Sequence, residues 1–270
     1  MRRLLVLLSA VGLFFAMTMP AGAVTNGEPD TANEFPFVAG AIGPIDEDAQ
    51  FLCTAWAISD KYLVTAAHCF QDLEDPPGDP RPVAVLFGPN LLMPDYVGLG
   101  TWIPDPEFCV QCGNGLPGFD THDVAVIVLA NPVPISVVPH YAQLPDEGLV
   151  DTLAHRTDLT QVGYGVQEIL RGGGQPVPTI DGLRHVASAE LLASKHVHSD
   201  EYVKFTQNPG KGKGGTCFGD SGGPNLIAGT NIAISVNSYG TNGNCSGVGY
   251  SNRIDTYALE FIEDITGITP

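Results

Sequence analysis

Three short segments hold the side chains that acyl transfer would need. Thr216-Cys217-Phe218-Gly219-Asp220-Ser221-Gly222-Gly223-Pro224 sets a serine among glycines, where a nearly bare backbone approaches a carbonyl closely and aims amides at it. Leu63-Val64-Thr65-Ala66-Ala67-His68-Cys69 places a histidine just after a strand-like run, beside a cysteine that can tether it. His122-Asp123-Val124-Ala125-Val126-Ile127-Val128-Leu129 puts an acid at the head of an apolar strand, where an ionised carboxylate is costly to bury unless it accepts hydrogen bonds. Taken singly, a Gly-Ser-Gly cluster is usually a turn, a lone histidine structural, and a strand-edge aspartate solvated. Together they supply a nucleophile, a base to take its proton, and an acid to orient that base and stabilise its charged form.

The elements that must position these groups read as β-structure. Short β-type runs recur at Phe51 to Ile58, Tyr62 to Thr65, Val83 to Phe87, Val124 to Leu129, Gln161 to Tyr164, Ile232 to Val236 and Val248 to Tyr250. Between them, Asp72 to Pro82, Pro104 to Asp120 and Arg171 to Pro178 are punctuated by proline and glycine and read as surface loops. The C-terminal stretch Asp255 to Ile265 reads as a helix, with Asp255 or Thr256 as cap and Ala258, Leu259, Ile262 and Ile265 on one face. This pattern predicts an all-β barrel or sandwich, as one compact unit or two barrels in tandem.

Composition agrees. The 270 residues are 44% hydrophobic and 16% charged, which a disordered chain would not be, and 32 glycines with 22 prolines disfavour a helical bundle. A formal charge of −18 repels phosphate backbones and anionic lipid, so neither nucleic acid nor a membrane surface is expected as a partner. At the start, Arg2-Arg3, an apolar run from Leu4 to Met17 and Ala21-Gly22-Ala23 follow the order of a secretory signal peptide cut after Ala23. The run is short for the about 20 residues of a bilayer span. Residues 1–23 are therefore expected to be removed on export, leaving 24–270 as an extracellular domain. Its six cysteines should pair as disulfides. Cys109-Val110-Gln111-Cys112 reads as a short structural disulfide in a loop rather than a redox motif.

The segments around His68, Asp123 and Ser221, in that order, resemble the motifs T-A-A-H-C, D-[IV]-A and G-D-S-G-G-P of the trypsin-like (chymotrypsin-fold) serine endopeptidases. Val162-Gly163-Tyr164-Gly165 and Ser238-Tyr239-Gly240 are similar to two further family segments, and the likeness runs from about Val24 to the C-terminal helix. The resemblance implies two packed six-stranded antiparallel barrels with the site between them. It makes His68 the general base, Asp123 its orienting partner and Ser221 the nucleophile. The N–H groups of Gly219 and Ser221 would form the oxyanion hole. It pairs Cys53 with Cys69 and Cys217 with Cys245. It also implies that the freed amino group of Val24 pairs with Asp220, so that one cut would both export and activate the chain. Thr54-Ala55 departs from the family's usual two glycines, and Tyr164 and Tyr239 stand where tryptophans are usual.

The same resemblance places the pocket for the substrate side chain among Gly215, Thr216, Ser238, Tyr239, Gly240 and Val248. Enzymes of the family that cut after Arg or Lys carry an aspartate at the position of Gly215. The expectation here is cleavage after hydrophobic residues, with Val248 making the pocket shallower. Substrates would be proteins or peptides, with no cofactor and no metal, and the chain a monomer.

Competing readings fare worse. Gly219-x-Ser221-x-Gly223 matches the G-x-S-x-G elbow of α/β-hydrolases, but that fold needs its histidine after the serine and the last histidine is His198. No H-E-x-x-H occurs, and His196-Val197-His198 reads as surface. His122 lacks the context of His68. The acidic stretch Asp72 to Asp79 shows no spaced ligand pattern for calcium. A binding protein on the same fold would usually have lost a triad member, and an esterase would share the machinery.

Overall fold

Alternation of buried and outward side chains builds the strands, as in Arg81–Phe87, where Val83, Val85 and Phe87 are buried and the residues between them less so. The computed structural model describes residues 24–44, 50–71, 79–110, 112, 121–170, 177–194, 200–208, 212–240, 243 and 245–270. The expected signal peptide, His196, His198 and nearly all of the Asp72 to Asp79 stretch lie outside the described residues.

After a two-residue strand β1 (Glu28–Pro29), six strands close the first barrel: β2 (Val38–Pro44), β3 (Gln50–Ala57), β4 (Tyr62–Thr65), β5 (Arg81–Phe87), β6 (Tyr96–Pro104) and β7 (Ala125–Leu129). Their order around the barrel is β2-β3-β4-β7-β6-β5, with β5 pairing back to β2. A one-turn helix α1 (Leu149–Thr152) leads into the second half. There follow β8 (Asp158–Gly163), a hairpin of β9 (Glu168–Leu170) and β10 (Val177–Thr179), then β11 (His185–Ala193), β12 (Tyr202–Gln207), β13 (Pro224–Ile227), β14 (Ala233–Gly240) and β15 (Gly247–Arg253). The order β11-β12-β15-β14-β13-β8 closes into a second barrel through β8–β11 pairing, with β1 added at β11. All neighbouring strands in both barrels are antiparallel, so the two six-stranded barrels implied by the sequence motifs are observed. Closure leaves few open strand edges for pairing with other chains.

Strands β2, β6, β11, β12 and β13 lie outside the runs read from the sequence, and β10 takes the last residues of the segment read as a loop. Barrel closure supplies partners on both sides and overrides weak local propensity.

The C-terminal helix α2 (Tyr257–Thr266) buries Ala258, Leu259 and Ile262 against the large cluster of the first barrel and the interface, with Ile265 packed at its edge. Thr256 holds the N-cap position but makes no side-chain cap bond. Asp255 does not cap it either: its carboxylate accepts the Val150 N–H at 2.7 Å and pairs with Arg253 at 2.9 Å. Gly267 ends the helix in the left-handed region.

A polar group joins the barrels. Arg184, fully buried just before β11, pairs with Asp30 at 2.9 Å and donates to the Val38 carbonyl at 3.0 Å on the first barrel. It also meets the Tyr164 hydroxyl at 3.2 Å, and that hydroxyl reaches the Gly88 carbonyl at 2.7 Å. Burial pushes the Tyr164 phenol up to about 12, so it stays a neutral donor.

Candidate active site

After β4 the chain makes a single 3₁₀ turn, Ala67–Cys69, that carries His68. Cys69 is joined to Cys53 on β3, so the turn is tied to the strand behind it. His68 Nδ1 lies 2.8 Å from Asp123 Oδ2, and the His68 backbone N–H donates to Oδ1 at 2.9 Å. Asp123, fully buried just before β7, also accepts a hydrogen bond from Ser238 Oγ on β14. Burial by itself pushes this carboxyl up, but the charge and hydrogen bonds of His68 and the Ser238 hydroxyl outweigh it and leave the group below its usual 3.8. An ionised acid thus fixes the imidazole through Nδ1.

His68 and Ser221 line one cleft of about 410 Å³, together with Thr216, Phe218, Ser238, Tyr239 and Gly240. Tight turns build the loop that presents Ser221. The Asp220 N–H donates to the Cys217 carbonyl at 3.0 Å, and the Gly223 N–H to the Asp220 carbonyl at 2.9 Å. Gly219 sits at φ 95°, and a Cβ there would stand 2.9 Å from Gly165 Cα, so only glycine fits.

From β3, Thr54 clamps this loop at both ends. Its N–H donates to the Ser221 carbonyl at 2.8 Å and its Oγ1 to the Gly219 carbonyl at 2.9 Å. The same hydroxyl accepts the Tyr164 N–H at 3.3 Å. Sequence reasoning marked Thr54 as a departure from two glycines, bearing on packing and substrate contacts more than on the triad.

Asp220, fully buried, accepts the Gly165 N–H at 2.8 Å and the Cys217 N–H at 2.9 Å. No cation among the described residues pairs with it, and burial outweighs those two bonds to push its carboxyl up to about 7. Val24 is buried at φ 55°, and in the uncut chain its nitrogen is a peptide nitrogen, not an ammonium. Thr25 pairs with Gly215, and its hydroxyl reaches the carbonyls of Gly215 at 3.1 Å and Cys245 at 3.2 Å. The start of the domain therefore docks beside the cleft.

Of the expected pocket residues, Thr216, Ser238, Tyr239 and Gly240 line the cleft. Gly215 lies behind Thr216 against Gln207, and Val248 sits on β15 opposite Thr206, outside the lining. Cys217 is joined to Cys245 beside the cleft, and Cys109 to Cys112 in a loop away from it. Cys53, His68 and Cys69 cluster closely, but both sulfurs are taken by the disulfide and offer no thiolate to a metal. His122 is held elsewhere: Nδ1 lies 3.2 Å from Asp105, and the ring packs tilted against Tyr257 with centroids 3.9 Å apart. No helix among the described residues is long and apolar enough to cross a membrane.

Comparison with known proteins matches residues 24–260 to the family model described as Trypsin. Brachyurin of Leptuca pugilator is 29% identical over 83% of this chain and 91% of its own length. Neutrophil elastase of Mus musculus is 26% identical over 83% and 77%. The solved structure of HL collagenase superposes with a TM-score of 0.69 at 20% identity, covering 92% of this chain and all of that one, which supports the fold. With the family model spanning both barrels and the cleft between them, the chain belongs to the trypsin family and is a serine endopeptidase.

Proposed function

We propose that the chain is exported, freed at Val24 by the cut after Ala23, and hydrolyses peptide bonds of extracellular proteins or peptides through an acyl-enzyme on Ser221. The observation that carries this reading is the double engagement of Asp123 by His68, through ring and backbone, at the edge of the cleft that Ser221 lines. Ser221 Oγ attacks the scissile carbonyl carbon while His68 Nε2 takes its proton. The oxyanion that forms faces the N–H groups of Gly219 and Ser221, each worth about 3 kcal/mol in comparable sites. Collapse breaks the C–N bond, and His68 returns the proton to the leaving amine. Water then attacks the acyl carbon by the reverse proton route, releasing the carboxylate product and Ser221. Asp123 stays ionised throughout, stabilising the imidazolium. No cofactor enters these steps, and one chain carries every group, so a monomer suffices.

Activation follows from the same loop. A carboxylate buried without a cation costs several kcal/mol, and the freed Val24 ammonium would supply that cation to Asp220 beside the Gly219 amide. No carboxylate lines the cleft among the described residues, which supports an uncharged, hydrophobic side chain at the cleaved position over Arg or Lys. The test is peptide-library turnover by protein beginning at Val24. Hydrolysis lost in Ser221→Ala, and fastest after hydrophobic residues, is expected. Fastest cleavage after Arg or Lys would overturn the preference, and full activity with one extra residue before Val24 would overturn the activation step.

A further inference from the structure

Every backbone carbonyl from Cys217 to Ser221 accepts a hydrogen bond, and none of the donors belongs to the start of the domain. Just after β8, the Val166 N–H donates to the Phe218 carbonyl at 2.8 Å. Thr54 on β3 holds the Gly219 carbonyl through its hydroxyl and the Ser221 carbonyl through its N–H. Asn237 on β14 donates to the Asp220 carbonyl at 3.3 Å, and bonds within the loop complete the set. A trans peptide points its carbonyl and its N–H in opposite directions. With the Phe218 carbonyl fixed on Val166, the Gly219 N–H is turned away from that bond. Among the described residues, neither this N–H nor that of Ser221 meets an acceptor. Two donors left over at the nucleophile match what a developing oxyanion requires.

This arrangement stands while Val24 is still joined to Ala23. The segment after Val24 is docked as well, since the Gly215 N–H donates to the Thr25 carbonyl at 3.0 Å. Nor does Asp220 oppose it at or below neutral pH. Its carboxyl accepts the N–H groups of Gly165 and Cys217, packs against Gly163, and bonds no charged side chain among the described residues. Burial pushes it up to about 7, so a neutral acid can stay inside without a cation. Resting on the peptidase reading above, we propose that Thr54 and Val166 assemble the oxyanion hole before the cut at Val24, so that the uncut chain already hydrolyses peptides at a reduced rate. Thr54 is the positioning residue in this scheme, and the freed ammonium strengthens a working loop rather than creating one. The two hold one loop from different sides, so the loss of either matters more when the other is absent.

The test compares matured chain beginning at Val24 with chain beginning at Gly22, in which the Val24 nitrogen stays a peptide nitrogen. Both are taken at pH 7, with their starts verified by intact mass, and the readouts are the rate of fluorophosphonate labelling and kcat and KM on one peptide. The chain beginning at Gly22 is expected to label and turn over about tenfold more slowly than the matured chain, the loss of one charge-assisted interaction. Thr54→Val is expected to lower kcat about tenfold in the matured chain and about a hundredfold in the chain beginning at Gly22, and Thr54→Ser, which keeps the hydroxyl, to restore both. A wild-type chain beginning at Gly22 that is more than about a thousandfold slower than the matured one overturns the inference with no variant needed. So does a Thr54→Val effect of equal size in the two forms. Matured wild-type protein that takes no label overturns the peptidase reading itself, and this inference with it.

Discussion

Asp220 is the side chain at which the fold of the nucleophile loop and the proposed maturation step meet. In the uncut chain its carboxyl titrates near 7 when folded, against 3.8 as its usual value, because it is buried and meets only backbone N–H groups. The folded state then holds the proton more tightly than the unfolded state. The stability present below about pH 4 is lost as pH rises through 7, by about 4 kcal/mol. Urea denaturation of the uncut chain at pH 5 and pH 8 should show about 3 kcal/mol of that fall, and Asp220→Asn should flatten it; a wild-type chain equally stable at both values would contradict the assignment. The hydroxyl of Thr54 acts one bond away from the same loop. Thr54→Val keeps shape but removes the donor to the Gly219 carbonyl, so kcat should drop about tenfold with KM little changed. An equal rise in KM with kcat unchanged would place Thr54 in substrate binding instead. Neither effect was legible in residue types alone. His68, Asp123 and Ser221 stood out because their neighbours form motifs, whereas Thr54 and Arg184 are ordinary residues whose partners lie far away in the chain.

At the level of elements, the sequence was readable where side chains alternate or cluster and opaque where packing decides. Tyr62 to Thr65 and the apolar run ending at Leu129 coincide with β4 and with the end of β7. In β2 and β6, glycines at 40, 43, 98 and 100 dilute the β-signal. Those glycines admit close neighbours: a Cβ on Gly100 would stand 2.9 Å from Ile127 Cγ2 on the adjoining strand. His185–Ala193, rich in Ala, Leu and Glu, has the composition of a helix, yet forms β11 because β8 and β12 pair with it on either side. The Cys53–Cys69 bridge spans 16 residues and ties the His68 turn to β3. Replacing both cysteines by alanine should cost about 3 kcal/mol of stability in the chain-entropy model. Activity should fall further than the folded fraction does, since His68 loses its tether. Activity that simply tracks the folded fraction would show that Asp123 alone holds the ring.

For the whole molecule, the cleft exists only while two barrels keep their relative position, and Arg184 is the buried cation that bonds across them. Arg184→Ala leaves Asp30 buried without its partner and should cost about 3 to 5 kcal/mol in urea denaturation. A loss under about 1 kcal/mol would mean that apolar contacts between the barrels suffice. The two closed barrels were expected from the family resemblance that the motifs carry, and they are observed. The Arg184 bridge to the first barrel was not expected, because Arg184 and Val38 are 146 positions apart and neither sits in a motif.

Intact-mass analysis of the matured chain after reaction with a fluorophosphonate tests the nucleophile most directly. One adduct, mapped to Ser221, absent in Ser221→Ala and formed far more slowly in His68→Ala, is the expected result. A single adduct on another residue, or one that forms at the same rate without the imidazole, would contradict the account.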